Sequence, residues 1–321
     1  MGNRGRPGER CRGWAHCAHR SASRTHVKAA LHPQGASVYR PRRYLMCPPE
    51  HFRVTYSINP WMDLSKPVDV RLAMAQWSDL RDCYRSLGHT VDELTPHPDL
   101  PDLVFTANGG LVLEDRVLGA RFAHPERYGE ATVHEEWHRE RGCVEFQRAQ
   151  HTNEGEGDFA VTDRWLLAGH GFRSSPLAPQ EAQEFFGRPV IALGLVNPRF
   201  YHLDTALCVL DDGTAGDGAD GDGGSVRGRE GSTVMYYPGA FSPGSRAVLE
   251  RLFPDAIVAE EADALALGLN AVSDGHHVVL PQAAVGLLEP LRERGFEPVP
   301  VDLSELLKAG GSVKCCTAEL R

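Results

Sequence analysis

The sequence predicts an α/β fold: repeated strand–strand–helix–strand units that close radially, like the blades of a propeller, into a single domain. Three observations carry this expectation. A polar or small-residue segment, an apolar strand, a tight turn and a second apolar strand recur in that order along the chain. The copies lie roughly 45–55 residues apart once one Asp/Gly-rich insertion is discounted, a period compatible with a repeat architecture. Amphipathic helical stretches separate the strand pairs.

The first copy is DLVFTANGGLVLEDRVLGARF from Asp102, and the second is GEGDFAVTDRWLLAGHGF from Gly155. The third joins HLDTALCVL, from His202, to TVMYYPGAF, and the fourth is GLNAVSDGHHVVLP from Gly268. A fifth, GSVKCCTAEL from Gly311, stands at the C-terminus, and its partner strand is expected in RYLMCPPEHF near the start. Between them, the run from Val68 places Val70, Ala73, Met74, Trp77, Leu80, Tyr84 and Leu87 at steps of three or four, with Gly88 as a natural helix stop. PGSRAVLERLFP, from Pro243, and PQAAVGLLEPLRERGF, from Pro281, read as shorter helices, the latter kinked or divided by Pro290.

At 321 residues the chain can bury a substantial core. It is 41% hydrophobic and 24% charged, with no apolar run near the ~20 residues of a membrane span. The formal charge of −9 argues against non-specific nucleic-acid binding. Eight cysteines in no disulfide framework or CxxC spacing point to reduced thiols and a cytoplasmic location. Two segments stand apart. Residues 1–43 carry ten Lys or Arg against one acid and lack apolar periodicity, which reads as a disordered extension or a misassigned start rather than a secretory signal. The folded domain is then expected over 44–321. Within it, the Asp/Gly stretch around 212–232 lacks calcium-loop spacing and reads as a flexible hairpin insertion.

Each copy carries a chemically capable residue where its first strand begins: Asn108, Glu154 with Asp158, His202 with Asp204, Asn270, and Cys315. Asn, Asp and Gly also mark turns at strand ends, which accounts for Asn270 and Asp158 but not for His202 or Cys315. Radial pseudo-symmetry brings equivalent positions to one central point. A thiolate nucleophile, a histidine able to move protons and carboxylates able to hold a planar cation would then converge. A metal site is disfavoured, because sites built from Cys usually pair thiolates.

The motifs FTAN at 105–108, EGEGD at 154–158, HLDT at 202–205 and GGSVKCCT at 310–317 resemble those of the guanidino-group-modifying enzymes. This family, also called penteins, includes arginine deiminases, dimethylargininases, agmatine deiminases and amidinotransferases. The resemblance runs from about residue 44 to the end. It implies a five-bladed ββαβ propeller, a small guanidino substrate, a covalent thiouronium intermediate, and no metal or organic cofactor. It also implies that Cys315 is the nucleophile, His202 the acid–base and Asp204 its polar neighbour. Glu154 and Asp158 become the acids of the guanidinium site, Glu156 a bystander, and Arg173 the ligand of an α-carboxylate. Asn108 and Asn270 join the substrate-binding set, and YSINPWM at 56–62 resembles a loop covering the site. Asn108 departs from the Asp of arginine deiminases and dimethylargininases, which leaves substrate and product open. The alternatives are hydrolysis of arginine or methylarginine to citrulline, a dihydrolase continuing to ornithine, amidino transfer to an amine, and non-catalytic arginine binding. Cys316 is expected to point away from Cys315 by strand alternation. No nucleic-acid or membrane partner is expected, and a homo-oligomer is compatible with these features.

Overall fold

In the computed structural model, five three-stranded sheets repeat one pattern: two antiparallel strands, a helix, and a third strand parallel to the second. The structure describes residues 39–213 and 231–321. Along the chain, β1 is Arg43–Met46, β2 Thr90–Glu93, β3 Gly110–Leu113, β4 Arg116–Gly119 and β5 Glu145–Arg148. Then come β6 Phe159–Val161, β7 Leu166–His170, β8 Val190–Gly194, β9 Leu207–Asp211 and β10 Thr233–Tyr236. The last five are β11 Ile257–Val258, β12 Val272–Ser273, β13 His277–Pro281, β14 Glu297–Val301 and β15 Ala318–Glu319.

Four sheets are sequence-continuous: β3-β4-β5, β6-β7-β8, β9-β10-β11 and β12-β13-β14. The fifth closes the molecule with both ends of the domain. C-terminal β15 runs antiparallel to β1, with Tyr44 opposite Glu319 and Leu45 opposite Ala318, and β1 pairs parallel with β2. The partner expected for the fifth copy is therefore the one found.

The helix Val70–Ser86 starts at Asp69, whose carboxylate accepts the N–H groups of Arg71 and Leu72, and it buries Ala73, Trp77, Leu80 and Tyr84. Gly88 follows with φ +83°, the left-handed conformation that ends helices. Pro290 divides its run as expected. A short 3₁₀ turn, Val285–Leu287, precedes the α-helix Leu288–Glu293, so Pro290 falls in the first turn, where no N–H is required.

Two boundaries differ from expectation because buried ion pairs hold them. Arg40 donates to Asp211 and Asp212 at 3.1 and 2.7 Å, and Arg42 reaches Asp212 and Glu319. Residues 39–43 thus belong with the domain, as do Asp212 and Ser232, whose hydroxyl donates to Asp163. The rest of the proposed extension, 1–38, and of the proposed insertion, 214–230, lie outside the described residues. Among the described residues no helix is long and apolar enough to cross a membrane.

Candidate active site

The chemically capable residues stand on the tight turns that lead into each unit's first strand. Asn108 lies on the 3₁₀ turn Thr106–Gly109, Glu154 and Asp158 flank Gly155–Gly157, and His202 precedes Leu203–Thr205. Close approach of these turns demands glycine: a Cβ on Gly155, where φ is +55°, would lie 2.5 Å from the Gly110 nitrogen. Cys315 sits on a turn before β15 rather than in a strand, so pleat alternation does not separate it from Cys316. Both thiols are buried in the same apolar cluster, and it is the Cys315 sulfur that meets Asn270 and Asp204.

Asn270 builds the thiol's surroundings. Its Oδ1 accepts the N–H groups of Ser312 and Cys315, both at 3.1 Å, and its Nδ2 donates to Cys315 Sγ at 3.1 Å and to the Asp204 carbonyl at 3.2 Å. Asp204 Oδ2 accepts from Cys315 Sγ at 3.3 Å. Burial pushes the Asp204 carboxyl up to about 7. Burial likewise raises the Cys315 thiol well above its usual range, and the Asp204 charge adds to that. Asp204 Oδ1 is buried and has no hydrogen-bond partner among the described residues.

Glu154 is saturated. Its Oε2 meets His202 Nε2 and Arg173 Nη1, each at 2.8 Å, with Arg127 Nη1 at 3.7 Å, while Oε1 accepts the Ala123 N–H. Burial opposes its ionisation, but Arg173, the His202 hydrogen bond and Arg127 outweigh it and hold the carboxyl well below the usual range. His202 Nδ1, like Asp204 Oδ1, is buried without a partner among the described residues.

Arg127 grips Glu130 through two hydrogen bonds of 2.9 and 2.7 Å and donates to Asn108 Oδ1 at 2.9 Å. Asn108 Nδ2 donates to the Glu154 carbonyl at 3.2 Å. Arg173 also donates to the Ile58 carbonyl and lies 4.7 Å above the Tyr201 ring. Cys315, Asn108, Arg127, Arg173 and Tyr201 line one small, largely closed cavity with Ile58, Asn59 and Met62 of the 56–62 segment.

These surroundings invite comparison with known proteins. A dimethylarginine dimethylaminohydrolase of Mycobacterium tuberculosis is 51% identical over 281 residues, covering 88% of this chain and 86% of that protein. The chain belongs to the guanidino-group-modifying family. It is a hydrolase of guanidino carbon–nitrogen bonds. The bifunctional arginine dihydrolase/ornithine cyclodeaminase AgrE of Nostoc is 38% identical over 86% of this chain, which spans 37% of that longer protein. The product-bound N-terminal domain of ArgZ, a cyanobacterial arginine dihydrolase, superposes with a TM-score of 0.78 at 35% identity, covering 88% of this chain and 98% of that one. An asparagine-to-serine variant of the same domain carries a covalent reaction intermediate. No family model matches the chain.

Against this family frame, the placement of the sequence-expected residues is uneven. Cys315, Asp204 and Asn270 form one hydrogen-bonded group, and Glu154, His202 and Arg173 form another. Asp158 lies behind both, accepting the Leu203 N–H and the Ser174 hydroxyl, with its carboxyl pushed up to about 6 by burial. Glu156, expected to be a bystander, pairs with Lys314 at 2.5 Å and accepts the Glu319 N–H, which ties down the thiol's turn. Arg127, Asp102, Glu130 and Tyr201 escaped the sequence reading, whereas Asn59 lies in the 56–62 stretch expected to cover the site. Tyr201 and Asp102 were within reach, one next to His202 and the other opening the first repeat. Arg127 and Glu130 lie on a connection between strands, where the repeat pattern carries no signal.

Proposed function

We propose that the chain hydrolyses the terminal C–N bond of free arginine or an N-methylated arginine, with Cys315 as nucleophile. The observation that carries this reading is the unpartnered Oδ1 of Asp204 beside Cys315 Sγ. An unsatisfied buried acceptor costs ~1–3 kcal/mol, and a guanidinium N–H would answer it with a charge-assisted bond. The same bond would set the planar guanidinium carbon above the sulfur. A cation at that point favours both the Asp204 carboxylate and the Cys315 thiolate. Arg127 and Arg173 supply positive charge to the cavity wall for an α-carboxylate.

In the reaction, the thiolate forms a C–S bond to the guanidinium carbon. The tetrahedral centre then expels ammonia or a methylated amine, protonated by His202. Water, losing its proton to His202, attacks the thiouronium carbon, and the C–S bond breaks to release citrulline. Glu154, bonded to Nε2, orients the ring and leaves Nδ1 to exchange the proton. This reading places the enzyme in the cytoplasm, in keeping with the unpaired state of the described cysteines.

Asn108 favours a second outcome. Its oxygen is taken by Arg127 and one N–H by the Glu154 carbonyl, so it meets substrate as a donor. A donor suits the ureido oxygen of citrulline, whereas an aspartate would suit the guanidinium. A second round of attack on retained citrulline would give ornithine, carbon dioxide and a second ammonia. The deciding assay supplies arginine, dimethylarginine, citrulline and agmatine separately, counting ammonia or amine and quantifying citrulline and ornithine. Two ammonia per arginine with ornithine establish the dihydrolase. Citrulline with one ammonia or dimethylamine establishes the single hydrolysis. Turnover of none of them removes the proposal.

A further inference from the structure

Away from the active-site cavity, the turn between β12 and β13 brings two histidines and a glutamate together. Ring nitrogens of His276 and His277 and a carboxylate oxygen of Glu297 all lie within 4.8 Å of one another. We propose that these three residues bind a divalent cation of the Zn²⁺ class at the outer edge of this unit.

Paired backbone sets the positions: His277 and Glu297 are direct partners in the parallel β13–β14 ladder, and the Glu297 N–H donates to the His276 carbonyl. The turn itself is built around Asp274, only 2% exposed, whose Oδ1 accepts the N–H groups of His276 and His277 at 2.8 and 2.7 Å. Its Oδ2 meets His277 Nδ1 at 2.8 Å and His89 Nε2 at 3.3 Å. A buried carboxylate on one imidazole nitrogen fixes the tautomer and presents the other nitrogen as a basic ligand, the usual support behind metal-bound histidines.

His276 Nε2 and Glu297 Oε2 are 3.6 Å apart, beyond a hydrogen bond. Bond lengths of about 2.0–2.2 Å to Zn²⁺ place tetrahedral ligand atoms roughly 3.3–3.5 Å apart, so a small contraction would close the set. Two imidazoles and one carboxylate match a borderline metal better than Ca²⁺ or Mg²⁺, which favour all-oxygen shells. His276 and Glu297 side chains are 35% and 64% exposed, which admits the ion and leaves room for water as the fourth ligand. None of the three lines the active-site cavity, so the ion would clamp the β12–β13 turn to β14 rather than enter the reaction.

The experiment uses the full chain with Cys315→Ser, which removes the active-site thiol as a competing ligand, after chelator treatment. Zn²⁺ is titrated calorimetrically and Co²⁺ by its visible absorption, with Tm followed alongside. The expected result is a binding step with tetrahedral Co²⁺ bands and a Zn²⁺-dependent rise in Tm. Adding His276→Ala or Glu297→Gln should weaken that step about tenfold or more and abolish the Tm gain. Both positions are partly or largely exposed, and circular dichroism checks the fold of each variant. A binding step and Tm gain unchanged in both variants would assign the metal to other residues and overturn the proposal, as would the absence of any step in the parent.

Discussion

Glu154 and Asp204 stand on the entry turns of neighbouring units, both buried, and their surroundings are opposite. Glu154 is enclosed by cationic or proton-bearing groups: Arg173, His202 and, more distantly, Arg127. Asp204 meets a thiol and the amide of Asn270, with the opposed charges of Lys314 and Glu156 nearby, and one of its oxygens has no partner among the described residues. Burial disfavours charge at both. At Glu154 the cations reverse that effect, and at Asp204 nothing within hydrogen-bonding reach does. The difference teaches where a substrate cation can still gain binding energy. A site already neutralised by the protein's own arginines has little attraction left, whereas an under-compensated carboxylate beside a thiol has a vacancy for charge.

The most severe way to break the comparison is to remove the thiol. Cys315→Ser should lower kcat ~10³-fold or more, with the fold intact, while Cys316→Ser keeps most of the activity. Equal loss in both variants would reassign the nucleophile.

Removing each carboxylate sharpens it, because stability should move in opposite directions. Glu154→Gln strips buried arginines of their counter-charge and should cost ~3–5 kcal/mol in denaturant unfolding at neutral pH. Asp204 has a folded-state pKa above its unfolded value. Its ionisation therefore lowers stability as pH rises from about 4 through about 7. Asp204→Asn should accordingly raise Tm at pH 8 and change it little at pH 4. It should also reduce kcat/KM by ~100-fold or more and abolish an ascending limb near pH 7. A variant that loses Tm at pH 8 would show that Asp204 is a structural anion like Glu154.

His202→Ala tests the proton-transfer half alone. Breakdown of the thiouronium should slow ~10²–10⁴-fold, so that mass spectrometry of quenched enzyme finds added mass on Cys315. Free Cys315 together with normal turnover would remove His202 from that role. The mildest change concerns the N-terminus: deleting 1–38 should leave Tm and activity nearly unchanged. Deleting through Arg43 should cost ~1–3 kcal/mol, because Arg40 and Arg42 leave Asp211 and Asp212. A large loss on deleting 1–38 would show that this segment packs on the domain.

Much of the fold was legible in sequence because its signals are local. Strand pairs, turn glycines and helix stripes fall within short windows, and the repeat gave each several chances to appear. The match of β15 with β1 was readable for the same reason, as an incomplete copy needing its missing strand. The candidate catalytic residues were legible because the repeat places them at one recurring position. Arg127 and Glu130 were not, since their meeting with Asn108 depends on how a connecting helix folds back across the turns. The edges of the extension and insertion were not legible, because Arg40 and Asp212 are far apart in sequence and their ion pair exists only in the fold.

By itself, then, the sequence determined the repeated unit, the positions of its chemically capable residues and the family those motifs resemble. Hydrophobic period, turn residues and motif order are properties of neighbouring residues. Tertiary structure alone decided which carboxylate is saturated by arginine and which, beside the thiol, keeps one oxygen without a partner among the described residues. Solvation, charge compensation and pKa depend on groups brought within a few ångströms from distant parts of the chain, and no spacing along the sequence encodes that distance.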